Sequence, residues 1–367
     1  STCLRCLAAA FDDTRLTGHK GRAAPSLKED PMSLLLQILS RLMTMAVTLF
    51  GVAVIVFFVI RVVPGNPIAM MLPPGASVED IARLEALYGF DKSIPEQFYI
   101  WLSGVLQGDF GTSITARQPV LDLVLSRLPA TLELSVMALL IAIIMGGFMA
   151  LAGTRMRGTK TEAIVDVTNG VALSVPDFLW GLVLVLLFGV LWPVFHISGR
   201  VSPALDLPFV THFYLIESLL RLRFDIMADL LSHMFMPALA LAIPLAAVIA
   251  QLLKQSLKET LHLDYVTLAR TQGYSENQVI LREALPNAVL PTLTLIGVQF
   301  TFLIGGTVII ERLFSYEGLG NMAIDAVINR DLPLIQGIVI MFALIFTVVN
   351  RLVDLTYALL NPRLRNG

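Results

Sequence analysis

The stretch Tyr265–Pro291, YVTLARTQGYSENQVILREALPNAVLP, opens polar, carries a glycine at its centre and ends in two prolines, yet it lies between two long apolar segments. That placement reads as a structured loop joining two membrane-crossing helices. The flanking chain agrees. Of the 367 residues, 56% are hydrophobic and 15% charged, against about 45–50% apolar and 25% charged in soluble domains. Helix-length apolar runs meet the roughly 20 residues needed to cross a bilayer, and they lack the period-two alternation of a membrane barrel. The expected fold class is therefore all-α and polytopic. A formal net charge of −2 offers no basic face to nucleic acid.

Six spans are expected, within Ile38–Val63 and near Ala130–Ala152, Ile164–Phe195, Leu231–Leu253, Val289–Ile310 and Leu332–Leu360. Residues 1–31 read as a polar leader, disordered or upstream of a true start at Met32. Mass spectrometry of the natural N-terminus tests this, and abundant peptides from Ser1–Lys28 would refute it. Cys3 and Cys6 in this leader have no second ligand pair, so they read as incidental thiols. Residues 32–63 form the first membrane helix, which stops at Pro64-Gly65-Asn66-Pro67. Residues 64–128 form a mixed external region, with a polar helix-like piece at Val78–Tyr88, an aromatic amphipathic one at Gln97–Leu106 and the turn-rich QGDFGTS. Residues 129–362 form the membrane core and 363–367 a short tail.

Sidedness follows from Lys and Arg in the short loops. With both termini cytoplasmic, Arg155, Arg157, Lys160, Lys254, Lys258, Arg270, Arg282, Arg351, Arg363 and Arg365 all fall on the inner side. The loop 264–287 then faces the cytoplasm. Its sequence spells two short helices around an elbow. Asp264 is placed to cap the first, with Val266, Ala269 and Leu268 read onto one face. Gly273 sits where a helix ends in a left-handed residue. Ser275 with Gln278 forms a capping box for the second helix, which presents Val279, Leu281 and the Leu285 turn before Pro286 and Pro291 break it into the next span.

This loop resembles the coupling loop of ATP-binding-cassette importer permeases, whose motif runs Glu-Ala-Ala, three residues, Gly, nine residues, Ile, one residue, Leu-Pro. Ala269, Gly273, Leu285 and Pro286 fall on it in register, while Thr267, Leu268 and Glu283 replace its Glu, first Ala and Ile. FFVIRVVPGNP, RLPATLEL, SVPDFLWGLVLVLLF, ERLFSYEGLG and RDLPLIQG are similar, in the same order, to landmarks of the dipeptide, oligopeptide, glutathione and nickel branch of that family. The resemblance spans Met32–Pro362. It implies a non-catalytic subunit working by alternating access, paired with a related permease in a heterodimer. Two ATPase subunits, carrying the ATP and Mg, would dock on the loop from Asp264 to Glu283, and an extracytoplasmic binding protein would deliver the solute. Consistent with this, no Gly-x-x-x-x-Gly-Lys-Ser/Thr loop occurs in the chain, so this chain itself calls for no cofactor.

Outside the loop, Asp177 after Pro176 is an ionisable residue in mid-span, a functional candidate by cost alone. Pathway lining competes there with pairing to a neighbouring helix or hydration at a break. Glu133 reads as packed or hydrated rather than solute-binding, and Pro237 and Pro244 as kinks in the fourth span. His196, His212 and His233 show no paired spacing or carboxylate cluster, so no metal site is expected. The external region reads equally as a cap for the binding protein or as interface anchors at Tyr88, Phe98, Tyr99 and Trp101. An ion-coupled carrier would want repeated broken helices and intramembrane carboxylate pairs, and an enzyme a convergent nucleophile, base or metal cluster. Neither is visible. Peptides are the expected solute, with nickel or glutathione as alternatives.

Overall fold

A computed structural model describes residues 31–62, 77, 79, 91–205 and 209–360. The expectations for the Cys3/Cys6 leader, the Pro64–Pro67 stop, the Val78–Tyr88 piece and the 363–367 tail fall outside these residues. Twelve elements carry the argument: α1 (Pro31–Val62), α2 (Ile94–Leu106), α3 (Val120–Arg155), α4 (Lys160–Ser174), α5 (Asp177–Leu184, prolonged by a wide π turn Val185–Leu191), α6 (Tyr214–Leu220), α7 (Phe224–Thr260), α8 (Asp264–Thr271), α9 (Glu276–Gln278, prolonged by a π turn Val279–Ala284), α10 (Leu285–Leu313), α11 (Leu319–Ile328) and α12 (Leu332–Leu360). Among the described residues five helices are long and apolar enough to cross a membrane, or six if one bent pair counts as a single span.

That bent pair corrects the expected third span. Instead of one helix across Ile164–Phe195, α4 and the segment Asp177–Leu191 meet at 104°. Pro176 is the cause: it lacks an N–H, and its ring drives the preceding residue out of the helical region. Val175 is accordingly extended at φ −99°, ψ 124°. Pro237 and Pro244, by contrast, lie inside α7, which continues through both.

Several helices also outrun the apolar windows that announced them. The 36 residues of α3 reach about 54 Å at 1.5 Å per residue, well beyond a hydrocarbon core of about 30 Å. Hydropathy marks only the part that lipid must solvate. The rest is helix in water or against protein.

α3 and α7 form the spine. On α3, Ala138, Ala142, Gly146 and Ala150 recur every four residues and are buried. On α7, Ala238, Ala242, Ala246 and Ala250 do the same. Small residues at this spacing let backbones approach, which drives association where lipid removes the hydrophobic gain. A Cβ at Gly146 would lie 2.6 Å from the Ala246 carbonyl oxygen. A second core joins Val120 and Val124 to Leu319, Leu334, Ile338 and Met341, gathering α3, α11 and α12. α2 matches the expected aromatic helix and packs on α1, with Phe98 and Trp101 centred 5.1 and 5.4 Å from Phe57. Those two rings therefore anchor helix to helix, while Tyr99 is 73% exposed.

Candidate functional site

The loop between α7 and α10 is built on a third core. Val266 and Ala269 of α8, with Val279, Ile280 and Ala284 of the following π turn, are buried, and Ala150, Leu253 and Leu257 complete the patch. Leu268 does not join the buried face. It lies two residues, about 200° of helix turn, from Val266 and is 58% exposed. Asp264 is likewise shifted from its expected place: Leu263 occupies the capping position and Asp264 is the first helical residue. There its charge still favours the helix N-terminus, by about 0.3–1 kcal/mol.

The elbow follows the expectation closely. Gly273 has φ +89°, its N–H donates to the Arg270 carbonyl at 3.1 Å, and the Tyr274 N–H donates to the Ala269 carbonyl at 3.3 Å. This double bond pattern is the Schellman ending of a helix. Arg270 then reaches across the elbow, with Nη2 2.9 Å from Glu276 Oε1 and Nη1 3.2 Å from the Leu261 carbonyl. Gln278 Oε1 accepts from the Ser275 N–H at 2.9 Å, closing the capping box.

Leu285 and Pro286 do something other than end the helix. Pro286 cannot donate and would crowd the carbonyl four residues back; the chain answers with the wide turn Val279–Ala284, which accommodates the mismatch. Glu276–Leu313 therefore runs as one helix of 38 residues. Tyr265 ties α8 to it, accepting from Asn287 Nδ2 at 2.7 Å and donating to the Glu283 carbonyl at 3.4 Å. On α7, Lys254 Nζ lies 2.8 Å from Glu162 and 2.7 Å from Asp166, fastening α4 to the spine just beneath the loop. Leu263, Tyr265, Leu268, Tyr274 and Leu281 remain exposed around the elbow. The loop thus presents a polar elbow with an apolar rim.

At the opposite end, buried charges hold the helices together. Glu133 of α3 receives Arg200 Nη2 at 2.8 Å and the Leu215 N–H at 2.9 Å, with both charged side chains 4% exposed. Arg200 also donates to the His212 carbonyl at 2.7 Å and lies 4.1 Å from the Tyr214 ring centroid. Glu311 of α10 accepts from the Thr131 hydroxyl at 2.7 Å and the Asn321 N–H at 3.0 Å. Asp331 accepts from the Ser113 hydroxyl at 2.6 Å and the Thr115 N–H at 2.9 Å, so RDLP secures the QGDFGTS turn. Glu217 of α6 takes the Thr211 hydroxyl and the N–H groups of Val210 and Thr211, which hold its carboxyl down to about 2. With the folded value depressed, that contribution to stability is complete above the ordinary glutamate range and is lost as pH falls toward 2.

Two family models match the sequence: the inner membrane component of binding-protein-dependent transport systems over residues 138–366, and the N-terminal part of such membrane components over residues 34–135. The chain is 36% identical to the di/tripeptide transport system permease protein of Pseudomonas aeruginosa, with 90% of this chain and 98% of that protein covered. It is 37% identical to the dipeptide transport system permease protein of Escherichia coli at the same coverage. It is 32% identical to the glutathione transport system permease protein of Salmonella choleraesuis, over 89% of this chain and 98% of that one. The chain belongs to this permease family. It is a multi-pass inner membrane permease of a binding-protein-dependent importer.

In this permease the expected site residues fall in two places. Asp264, Ala269, Gly273, Glu283, Leu285 and Pro286 come together in the loop, Glu283 contributing its carbonyl to Tyr265. Pro176 and Asp177 stand apart from them at the α4–α5 bend, where Asp177 opens α5 and its Oδ1 accepts from the Phe178 N–H at 2.7 Å. Glu133 is a structural ion-pair member, as its packing reading implied. Arg200 was missed, although a buried glutamate by itself demands a cation. The structure brings two of the histidines together: His196 and His233 stack with ring centroids 3.9 Å apart, and Asp229 lies beside them. Their separation of 37 positions in sequence hid the pair, because a loop and a helix bring them together.

Proposed function

We propose that this permease carries short peptides, and that separate ATPase subunits, holding ATP and Mg, drive it through the loop 264–287. The observation that carries the reading is the locked elbow at Gly273, seated on a buried core and rimmed by exposed Leu263, Leu268, Tyr274 and Leu281. Such a knob transmits an applied displacement instead of absorbing it. The loop, α3's last residue Arg155 and Arg351 of α12 belong to the side that is cytoplasmic by the positive-inside bias. A second, related permease completes the pathway, and an external binding protein delivers the solute. Catalysis lies outside this chain.

The peptide assignment rests on the relatives. The named cargoes are dipeptides, di/tripeptides and glutathione, and glutathione is itself a tripeptide. Each offers an ammonium and carboxylates on a short backbone. Pro176 and Asp177 line the pathway in this reading: the bend leaves Asp177 half-buried between two apolar helices, and an ionisable residue within a membrane segment is a functional candidate. Glutathione or nickel transport is the second reading, glutathione being favoured by the Salmonella relative.

The test is solute-stimulated ATPase activity of the permease in lipid, coexpressed with its neighbouring permease, ATPases and binding protein, against dipeptides, longer peptides, glutathione and nickel. Stimulation by dipeptides and tripeptides is expected. Stimulation by nickel alone overturns the assignment, and failure to assemble with any ATPase overturns the loop. In the same preparation Asp177→Asn is expected to lower transport about tenfold, in line with loss of one charged contact, while leaving assembly intact. Unchanged kinetics would remove Asp177 from the pathway.

A further inference from the structure

At the end of the molecule opposite the 264–287 loop, ligand-type atoms of His196, Asp229 and His233 lie within 4.8 Å of one another. His196 comes from the segment after α5, while Asp229 and His233 sit one turn apart on α7. We infer that these three side chains form a binding site for a divalent cation of the zinc and nickel type. This goes beyond the transport reading and does not depend on it.

The hydrogen bonds set the imidazoles up as ligands. The Ser232 hydroxyl donates to the Asp229 carbonyl at 2.8 Å, so it can only accept from His196 Nδ1, which lies 2.8 Å away. His196 Nδ1 therefore carries the proton. His233 Nδ1 lies 2.9 Å from the same Asp229 carbonyl, an acceptor only, and must likewise be protonated. In both neutral rings the lone pair is left on Nε2. Fixing one ring nitrogen by an outer hydrogen bond so that the other can bind is how proteins orient metal-ligating histidines. Asp229 is held in the same manner, with Ser202 N–H at 2.8 Å and Ser202 Oγ at 2.6 Å on its two oxygens. Each oxygen keeps a lone pair for a cation.

The donor set chooses the ion. Two imidazoles and one carboxylate suit zinc, nickel or copper, and are too nitrogen-rich for calcium or magnesium. Zinc–nitrogen bonds of about 2.0–2.1 Å in tetrahedral geometry place neighbouring ligand atoms about 3.3 Å apart. The present rings are nearly parallel, at 6°, so their in-plane lone pairs do not yet converge. His196 is the exposed partner while His233 is buried. A turn of His196 out of the stack is needed to make the ring lone pairs converge, leaving the α7 pair in place and water to fill the open positions. The bound ion then pins the segment after α5 to α7.

Zinc titration by calorimetry on the tag-free permease in nanodiscs, in a Cys3→Ser/Cys6→Ser background that removes the competing thiols, tests the site. One zinc per chain is expected, with affinity at least tenfold weaker in His196→Ala, an exposed change that leaves the fold alone. Asp229→Asn should weaken binding similarly, and His212→Ala should not. Cobalt added in place of zinc should give a visible absorption band that His196→Ala abolishes. Absence of saturable binding, or equal affinity in His196→Ala, overturns the site and leaves a packed histidine stack.

Discussion

Arg200→Met is expected to cost the folded permease on the order of 3–5 kcal/mol, the usual penalty for stripping one partner from a buried ion pair. The buried Glu133 carboxyl would be left with the Leu215 N–H and the weaker Ile216 N–H in place of the guanidinium. Arg200 also spans three segments at once, through Glu133 of α3, the His212 carbonyl and the Tyr214 ring. Thermal melting in nanodiscs and abundance in the membrane should both fall. The double change Glu133→Met with Arg200→Met should recover much of the loss, because removing both charges also removes the desolvation burden. A single variant that melts with the wild type would show that this pair is not what fastens the 200–217 segment to α3.

Gly273→Val carries the second large effect, on coupling instead of stability. No atom lies within 4 Å of a Cβ built at Gly273, so the substitution meets no clash. Its whole cost is backbone: φ +89° is a region that β-branched residues avoid, and leaving it releases about 1–2 kcal/mol of strain. The chain would relieve that strain by opening the elbow, breaking the Tyr274–Ala269 bond and stretching Arg270 from Glu276. Solute uptake is expected to fall at least tenfold while membrane insertion and basal ATPase activity of the assembled transporter persist. A graded series sharpens the test, since asparagine tolerates the left-handed region better than alanine, and alanine better than valine. Uptake should follow that order. Full uptake in Gly273→Val would remove the elbow from the drive train.

What the sequence could tell followed from the range of the forces involved. Gly273, Ser275 with Gln278, and the aromatic α2 were legible because each depends on neighbours within a few positions. A break at Pro176 is legible in the sequence, but not that it turns the chain through 104°, since a hydropathy window counts apolar residues and is indifferent to direction. Pro286 misled in the opposite sense: the same residue type that breaks α4 from α5 is absorbed by the wide turn before α10, and the difference lies in whether the preceding turn can loosen. Long-range pairs were out of reach. Arg200 meets Glu133 from 67 positions away, and Asp331 meets Ser113 from 218. Nothing local marks such a partner beyond the demand of a buried charge for one.

The unbroken helix from Glu276 to Leu313 has a mechanical meaning. Its 38 residues make a rod of about 57 Å, gripped at one end by Tyr265 and at the other by Glu311, whose buried carboxylate holds Thr131 and the 319–321 turn. A rod has no joint in which a stroke can be lost, whereas the α4–α5 knuckle at Pro176 has one. Under the proposed drive a push at the elbow would be carried along α10 without a sharp break, while α4 stays fastened to α7 through Lys254. The permease thus sets a long helix that carries two prolines without a break beside a pair that one proline turns through 104°, and Asp177 opens the helix just after that turn.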